Sequence, residues 1–175
     1  VQLNSELNQK LSNEEKILKY KNILKIIEKS NSDVVIFGEN EFPKLMNQVN
    51  IKEIQKNINL HKKIIIGSSR LENNNFYNSF YLIKKNTYSK FDKQILVPFG
   101  EFIPLRKIFN FMEFIAGSSD YTSGKDKRIL DIDRNTKIIP VICYEMLFFS
   151  KLVNQKNNKA NFIVNLTNDS WFGKV

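Results

Sequence analysis

Short, uninterrupted apolar runs constrain the fold of this 175-residue chain more than any other feature of its sequence. They lie at residues 33–37, 63–68, 137–143 and 162–165. Apolar runs of this length, without polar alternation, are typical of strands that are buried on both faces, as in sheets covered by helices. The runs therefore predict an α/β protein.

Helical signals separate the apolar runs. Ser12 and Glu15 form a capping box, and the apolar spacing that follows predicts an amphipathic helix over residues 13–29. The remaining predicted elements are a helix over residues 51–61, a helix from Glu145 to about residue 153, and strands over 78–84, 87–91 and 129–132. With no internal repeat, linker or boundary, this alternation predicts one domain whose sheet is covered by helices.

The apolar stretch over residues 109–115 fits two structures. It holds Phe109, Phe111 and Phe114, and the sequence turns polar at residues 117–120. It forms either a core helix or an exposed apolar loop that meets an apolar substrate. Composition alone favours the core helix.

The net charge of +9 comes from 27 Lys and Arg against 18 Asp and Glu. Such a balance suits nucleic acid or an anionic membrane surface. Here the lysines are scattered among Asn and Ile without a basic stripe, so no nucleic-acid partner is predicted. No apolar run approaches the roughly 18 residues of a membrane span. Both ends of the chain interrupt an element, which predicts a fragment of a longer protein.

Cys143 is the only cysteine and His61 the only histidine. These counts exclude an intrachain disulfide, a Cys-rich zinc site and a multi-histidine metal site, and no cofactor or metal is predicted. Cys143 ends an apolar strand and precedes Tyr144 and Glu145, which is how a fold presents a nucleophile at a strand-to-helix turn. By itself, a lone cysteine on an apolar strand is more often an inert core residue.

Polar residues follow four of the predicted strands. Glu39, Lys93, Cys143 and the pair Asn168 and Asp169 occupy these positions. Because ligand sites of α/β sheets lie outside the carboxyl ends of strands, these side chains are expected to converge on one pocket.

The chemistry of these groups is complementary. A thiol near its reference pKa of about 8.5 is mostly protonated at neutral pH and needs a base or a positive neighbour before it can attack. Glu39 is the candidate base, while Lys93 and the backbone N–H of Tyr144 are the candidate donors to an oxyanion. Glu101 and Glu145 are candidate supporting carboxylates, which orient Lys93 or assist proton transfer.

Each of these residues also has a non-catalytic interpretation. Glu39 and its neighbour Glu41 fit solvated loop carboxylates, and for Glu41 this interpretation is favoured. Lys93 is one of many lysines. His61 is expected at the surface, and a Cys143–His61 dyad is a weaker alternative because no carboxylate or amide is placed to orient the imidazole.

Four segments of the chain together resemble the nitrilase (carbon–nitrogen hydrolase) superfamily, which carries Glu, Lys and Cys in this order at strand ends. They are residues 34–43, 92–105, 142–145 and 168–173. The Leu-Val-Pro-Phe-Gly-Glu run in the second segment and the Trp-Phe-Gly run in the last are similar to the apolipoprotein N-acyltransferase branch. Soluble amidases of the superfamily usually lack both.

The resemblance covers nearly the whole chain and implies its fold. It implies an α/β, nitrilase-like four-layer αββα sandwich, incomplete at the C-terminal side. It also implies membrane helices on both sides of this domain, in the bacterial inner membrane, with the domain on the periplasmic side. Gly38 departs from the family, which usually has proline there, and is expected to loosen the backbone that aims Glu39.

The resemblance also implies a reaction. Cys143 would attack the sn-1 ester of a membrane phospholipid, with Glu39 as the base, to give a thioester acyl-enzyme. The α-amino group of a diacylglyceryl-cysteine apolipoprotein would then accept the acyl chain. Lys93 and the Tyr144 N–H would hold the oxyanion, with Glu101 and Glu145 in support.

The resemblance reverses the preference for residues 109–115, because apolar loops of this family face the membrane and guard lipid entry. Residues expected along the substrate path are Phe109, Phe111, Phe114, Trp171 and Phe172. Two other functions stay open. One is a soluble amidase that uses the same residues with water as the acceptor, and the other is a degenerate domain that only binds lipid or a partner protein.

Overall fold

The computed structural model describes residues 1, 11–98, 100–102, 120–148, 150 and 160–168. The helices with defined bounds in these ranges are α1 (Asn13–Lys29), α2 (Gln48–Lys56) and a 3-10 helix over Cys143–Phe148. The strands are β1 (Val34–Ile36), β2 (Lys63–Glu72), β3 (Asn75–Ile83), β4 (Tyr88–Asp92), β5 (Leu130–Asp131), β6 (Lys137–Ile142) and β7 (Phe162–Leu166).

The predicted helix over residues 13–29 is confirmed as α1. Its capping box is formed as the sequence indicates, because the Ser12 hydroxyl accepts from the Glu15 N–H at 3.2 Å and the Glu15 carboxylate accepts from the Ser12 N–H at 2.7 Å. A cap of this kind stabilises a helix by about 1 kcal/mol. Ile23 and Ile27 lie one turn apart and are fully buried against the first sheet.

The strands form two sheets. The first has the order β1-β2-β3-β4, in which β1 runs parallel to β2 and the other pairs are antiparallel. The second has the order β5-β6-β7, with β6 antiparallel to β5 and parallel to β7. The strand pair predicted around residues 133–135 is confirmed as β5 and β6.

The elements stack as a layer of helices, a sheet and a second sheet. Both described α-helices pack on the face of the first sheet that carries Ile64 and Ile66. The opposite face, which carries Ile65 and Phe80, packs against the second sheet at residues such as Ile138. The described residues thus supply three layers of the predicted αββα sandwich, and β1, β4, β6 and β7 end at the same side of it.

Two predicted helix boundaries differ from the structure. The helix predicted over residues 51–61 begins at Gln48, because the Asn47 side chain caps it by accepting from the Asn50 N–H at 3.0 Å. It ends at Lys56, where the Asn57 side chain donates to the carbonyl of Glu53. The helix predicted from Glu145 begins as the 3-10 helix Cys143–Phe148.

β2 and β3 form a longer hairpin than the apolar runs predict. Their pairing extends from Ile64 opposite Ile83 to Glu72 opposite Asn75. The two-residue turn consists of Asn73 and Asn74, whose φ angles of 49° and 64° are those of the hairpin turns that match strand twist. An Asn-Asn pair favours this turn, and polar side chains extend both strands beyond their apolar parts.

The residues predicted along the substrate path, Phe109, Phe111, Phe114, Trp171 and Phe172, lie outside the described residues. The choice between a core helix and a lid for residues 109–115 stays a prediction. Within the part of the chain that the structure describes, no helix is both long and apolar enough to cross a membrane.

Candidate active site

The ends of β1, β4 and β6 bring Glu39, Lys93 and Cys143 together. Lys93 Nζ lies 3.8 Å from Glu39 Oε1, and the Glu39 carboxylate and the Cys143 thiol are close enough for each to affect the pKa of the other. Glu39 is 4% exposed and Lys93 1% exposed, whereas the thiol residue is half-buried. The three side chains therefore form one cluster that solvent reaches mainly from the thiol side.

Lys93 is bound more tightly by Glu101 than by Glu39. Its Nζ lies 2.9 Å from Glu101 Oε1 and 2.8 Å from Glu101 Oε2. Glu101 Oε2 also accepts from the Val97 N–H at 2.9 Å, which fixes the carboxylate to its own loop. The described geometry thus places Glu101 where it orients the Lys93 ammonium.

Asn78, on β3, links the two carboxylates and was not singled out from the sequence. Its Nδ2 donates to Glu39 Oε1 at 2.8 Å and to Glu101 Oε1 at 3.0 Å. Because carboxylate oxygens accept only, the NH2 of the side chain must face them. No sequence signal marks Asn78, since its role depends on the pairing of β3 with β4 and on the Lys93 N–H that donates to its carbonyl.

The electrostatics of the cluster favour a neutral thiol beside a good base. Burial raises the pKa of Glu39 above its ordinary value, and the attraction of Lys93 and the Asn78 hydrogen bond offset only part of this rise. Burial and the Glu39 charge raise the pKa of the Cys143 thiol. A raised pKa makes Glu39 a stronger base than an exposed glutamate.

Cys143 occupies a strained turn between β6 and the 3-10 helix. Its φ of 52° lies in the left-handed region, which costs a non-glycine residue about 1 kcal/mol or more. The turn brings the backbone N–H of Tyr144 beside the thiol, where it offsets part of the rise in the thiol pKa. The same N–H is the second oxyanion donor that the sequence predicts.

Glu145 does not join Lys93 directly. It is fully buried, and its carboxylate pairs with Arg128, with N···O distances of 2.7 and 3.0 Å. It also accepts from the backbone N–H groups of Gln94 at 2.8 Å and Ile95 at 3.1 Å, the two residues that follow Lys93. Glu145 therefore fixes the backbone beyond Lys93 instead of contacting its ammonium.

Arg128 is a further buried charge that sequence reasoning missed. It is 5% exposed, stacks over the Phe91 ring at 4.5 Å and donates to the carbonyl of Pro140 at 3.0 Å. With its carboxylate partner Glu145, it ties β4 of the first sheet to β6 of the second. The strand end that carries Lys93 and the strand end that carries Cys143 are thereby held next to each other.

The expectation that Glu41 is a solvated loop carboxylate is wrong. Glu41 is 3% exposed and forms an ion pair with Lys19 of α1 at 2.7 Å. The pair attaches the segment after Glu39 to the helix layer. Lys19 lies far from Glu41 in sequence, so only the packing of α1 against this segment reveals it.

Gly67 of β2 permits the close approach of the Glu39 backbone. A Cβ at Gly67 would lie 2.6 Å from the carbonyl oxygen of Gly38 and 2.7 Å from Glu39 Cα. The Gly67 N–H donates to the Gly38 carbonyl at 3.1 Å, and the Phe42 N–H donates to the Gly67 carbonyl at 3.2 Å. These contacts hold the segment that the sequence predicts to be loosened by Gly38.

His61 is exposed and precedes β2, in a surface groove that it shares with Glu28, Lys56 and Lys85. No contact joins it to Cys143, so the structure offers no support for a Cys143–His61 dyad. Among the described residues, no group of three or more His, Cys, Asp or Glu side chains is arranged to hold a metal ion.

Several curated relatives are similar in sequence to this chain, and the two described here are named apolipoprotein N-acyltransferase. The protein of Rickettsia typhi is 41% identical over 100 residues, which cover 56% of this chain and 20% of that protein. The protein of Wigglesworthia glossinidia brevipalpis is 33% identical over 169 residues, which cover 86% and 33%. The chain spans a third or less of the length of these relatives. No protein-family model matches the chain.

Solved structures identify the fold. A CN-hydrolase superfamily protein from Xanthomonas campestris superposes with a TM-score of 0.62 at 13% identity, over 87% of this chain and 59% of that one. A Saccharomyces cerevisiae member of branch 10 of the nitrilase superfamily gives a TM-score of 0.58 at 15% identity, over the same shares. The predicted nitrilase-like fold is therefore confirmed.

Proposed function

We propose that this chain, which has the nitrilase-superfamily fold and resembles the apolipoprotein N-acyltransferases in sequence, carries the active site of an N-acyltransferase of lipoprotein maturation. The convergence of Glu39, Lys93 and Cys143 carries this proposal. It supplies a nucleophile, a base and a fixed positive charge within one buried cluster, which is what acyl transfer requires.

In the first half-reaction, Glu39 takes the proton of the Cys143 thiol as the sulfur attacks the ester carbonyl carbon of a phospholipid. The carbonyl oxygen becomes an oxyanion, which the Lys93 ammonium and the Tyr144 N–H stabilise. The C–O bond then breaks, the acyl group stays on sulfur as a thioester, and Glu39 returns its proton to the departing alkoxide. A lysophospholipid leaves, and Glu39 is again ionised.

In the second half-reaction, the α-amino group of a diacylglyceryl apolipoprotein attacks the thioester carbon. Glu39 accepts a proton from the attacking nitrogen, and the C–S bond breaks. The thiolate leaves and regains a proton from Glu39, so the enzyme returns to its starting state. The same oxyanion donors, Lys93 and the Tyr144 N–H, serve both halves because the same carbonyl group reacts twice.

Glu101 orients the Lys93 ammonium during both steps. Its two oxygens lie within 2.9 Å of Lys93 Nζ, closer than the 3.8 Å to Glu39 Oε1. With the ammonium paired to Glu101, Glu39 remains available to take a proton. Glu101 orients the lysine and Glu39 takes the proton. Two carboxylates in different environments can thus perform two roles that one group would perform poorly.

The proposed donor requires that the site meets a membrane. We place the chain on the periplasmic side of the bacterial inner membrane, as its resemblance to the apolipoprotein N-acyltransferase branch implies. The test adds protease to cells that make an epitope-tagged full-length gene product. The protease should cleave the protein within this domain in spheroplasts and leave it uncut in intact cells. Protection in spheroplasts would contradict this placement.

A soluble amidase is the second candidate, because an amidase from Neterenkonia sp. has the same fold, with a TM-score of 0.60 at 10% identity. The acceptor separates the two functions. The full-length gene product is incubated with acyl-labelled phospholipid and then with a lipopeptide that has a free α-amino group. Transfer to the lipopeptide that Cys143→Ser abolishes supports the proposal, whereas hydrolysis of small amides without lipid transfer supports the amidase.

A further inference from the structure

Tyr121 stands between the segment that carries Glu39 and the segment that carries Glu101. Its backbone N–H donates to the Glu101 carbonyl at 2.8 Å. It also pairs with Phe76 of β3 in a β-bridge, closed by the Thr122 N–H that donates to the Phe76 carbonyl at 2.7 Å. The backbone of Tyr121 is thus attached both to the first sheet and to the loop that orients Lys93.

The hydroxyl of Tyr121 reaches in the other direction, to the residue after Glu39. Its oxygen lies 2.6 Å from Ser69 Oγ, and Ser69 Oγ donates to Asn40 Oδ1 at 2.9 Å. Because the serine hydroxyl has a single proton, Tyr121 must be the donor to Ser69. The three side chains therefore form a chain of hydrogen bonds from Tyr121 through Ser69 to Asn40.

The hydrogen bonds among Tyr121, Ser69 and Asn40 stabilise an unusual backbone conformation at Asn40. Asn40 has a φ of 49°, in the left-handed region, and it directs the chain away immediately after Glu39. Such a conformation persists when surrounding contacts determine it. The Ser69 hydroxyl supplies such a contact to the Asn40 side chain, and it is itself held by the Tyr121 hydroxyl and by its place on β2.

We propose that Tyr121 is a positioning residue of this site, which fixes Glu39 through Asn40 and Glu101 through its own backbone. The two carboxylates flank Lys93, so one residue contributes to the placement of both, through its hydroxyl on one side and its backbone on the other. The inference rests on the proposed function only in treating Glu39 as the base. It assigns Tyr121 no contact with substrate and no proton transfer.

The test uses Tyr121→Phe, which keeps the aromatic ring and removes the hydroxyl. Ser69→Ala is a second variant, which breaks the same chain of hydrogen bonds. Tyr81→Phe is the matched control, because Tyr81 is a buried tyrosine in the core between the helices and the first sheet. The first readout is the alkylation rate of Cys143, the only cysteine of this 175-residue chain, measured on its own peptide against pH. The second is kcat and KM for acyl transfer by the full-length gene product.

A released Glu39 carboxylate raises the pKa of the thiol less, so the midpoint of the alkylation profile should move to lower pH in Tyr121→Phe and Ser69→Ala. The kcat of acyl transfer should fall about tenfold with little change in KM, since a misplaced base slows chemistry and leaves substrate binding intact. Tyr81→Phe should change neither quantity.

An unchanged midpoint and kcat in Tyr121→Phe, with only a lower melting temperature, would overturn the inference, because the hydroxyl would then serve stability alone. The alkylation readout needs no acyl transfer. A shifted midpoint in a protein that transfers no acyl group would therefore support the role of Tyr121 and reject the proposed function.

Discussion

Glu39 and Lys93 lie 3.8 Å apart, from Oε1 to Nζ, with both side chains buried at the ends of different strands. The Lys93 ammonium lies closer to Glu101, at 2.8 Å from its Oε2, than to Glu39. Glu39 Oε2 receives no N–H or O–H hydrogen bond from the described residues. This oxygen is therefore available to take a proton.

Replacing Glu39 with Gln should abolish the base. Acyl-enzyme formation on Cys143 should slow by a factor of about 10² to 10⁴, the usual contribution of a positioned base. The rate is measured by mass spectrometry of the intact full-length protein after mixing with phospholipid. Glu41→Gln is the matched control, because Glu41 is a buried carboxylate of the same segment that pairs with Lys19. Equal losses in both variants would assign the effect to the segment and not to the base.

The same substitution should stabilise the fold at neutral pH. The pKa of Glu39 is raised in the folded chain, so folding favours the protonated carboxyl and stability is lost as pH rises through that pKa. Gln mimics the protonated form and avoids this loss. The melting temperature of Glu39→Gln should exceed that of the wild type at pH 7, and the difference should vanish near pH 4. A variant that is less stable at pH 7 would contradict the direction of the pKa shift.

The acid limb of the pH–rate profile should also report Glu39. Because burial raises its pKa, kcat/KM should fall with acidity at a pH above the reference glutamate value of about 4.3. The profile of the full-length protein with a saturating lipopeptide acceptor is the measurement. An acid limb centred at or below about pH 4.3 would show that an exposed carboxylate acts as the base.

Gly67→Ala should damage the site through the Glu39 backbone. The added methyl group would lie 2.6 Å from the Gly38 carbonyl oxygen, which forces a backbone shift. We expect a loss of about 1–3 kcal/mol in unfolding free energy, typical of overpacking, together with slower acylation of Cys143. Gly100→Ala is the control, because its methyl group would make an ordinary 3.4 Å contact with the Val97 side chain. Normal acylation in Gly67→Ala would contradict the role of this close approach.

Arg128→Met should leave the Glu145 charge buried and unpaired. Removal of one partner of a buried ion pair lowers the free energy of unfolding by about 3–5 kcal/mol. Urea unfolding is the measurement that checks this loss. The double variant with Glu145→Gln should recover part of that loss. Lys137→Met is the control, because its pair with Asp131 is exposed and worth about 0–1 kcal/mol. Similar losses in Arg128→Met and Lys137→Met would show that the buried pair contributes no more than a surface pair.

The sequence predicts those features that depend on local pattern. The capping box at Ser12 and Glu15 and the buried strands depend on neighbouring residues, and the structure confirms them. The convergence of Glu39, Lys93 and Cys143 follows from a general property of sheets, namely that strand ends meet at one edge. Their catalytic roles stay predictions.

The remaining features depend on contacts between distant residues. Asn78 links two carboxylates only because β3 lies beside β4, and Glu41 is buried only because α1 brings Lys19 over it. Glu145, predicted to support the site, pairs with Arg128 and accepts from the two backbone N–H groups that follow Lys93. No local pattern encodes these distances, so sequence reasoning could not identify them.

The central claim is that Cys143 carries the acyl group between a phospholipid and an amine. The most direct measurement is the intact mass of the full-length gene product after exposure to a phospholipid of defined sn-1 chain, followed by peptide mapping. The account predicts a mass increase of one acyl group on Cys143, lost on addition of a lipopeptide with a free α-amino group. An acylated lipopeptide formed by the Cys143→Ser variant, or by a wild-type protein that never carries an acyl adduct on Cys143, would contradict it.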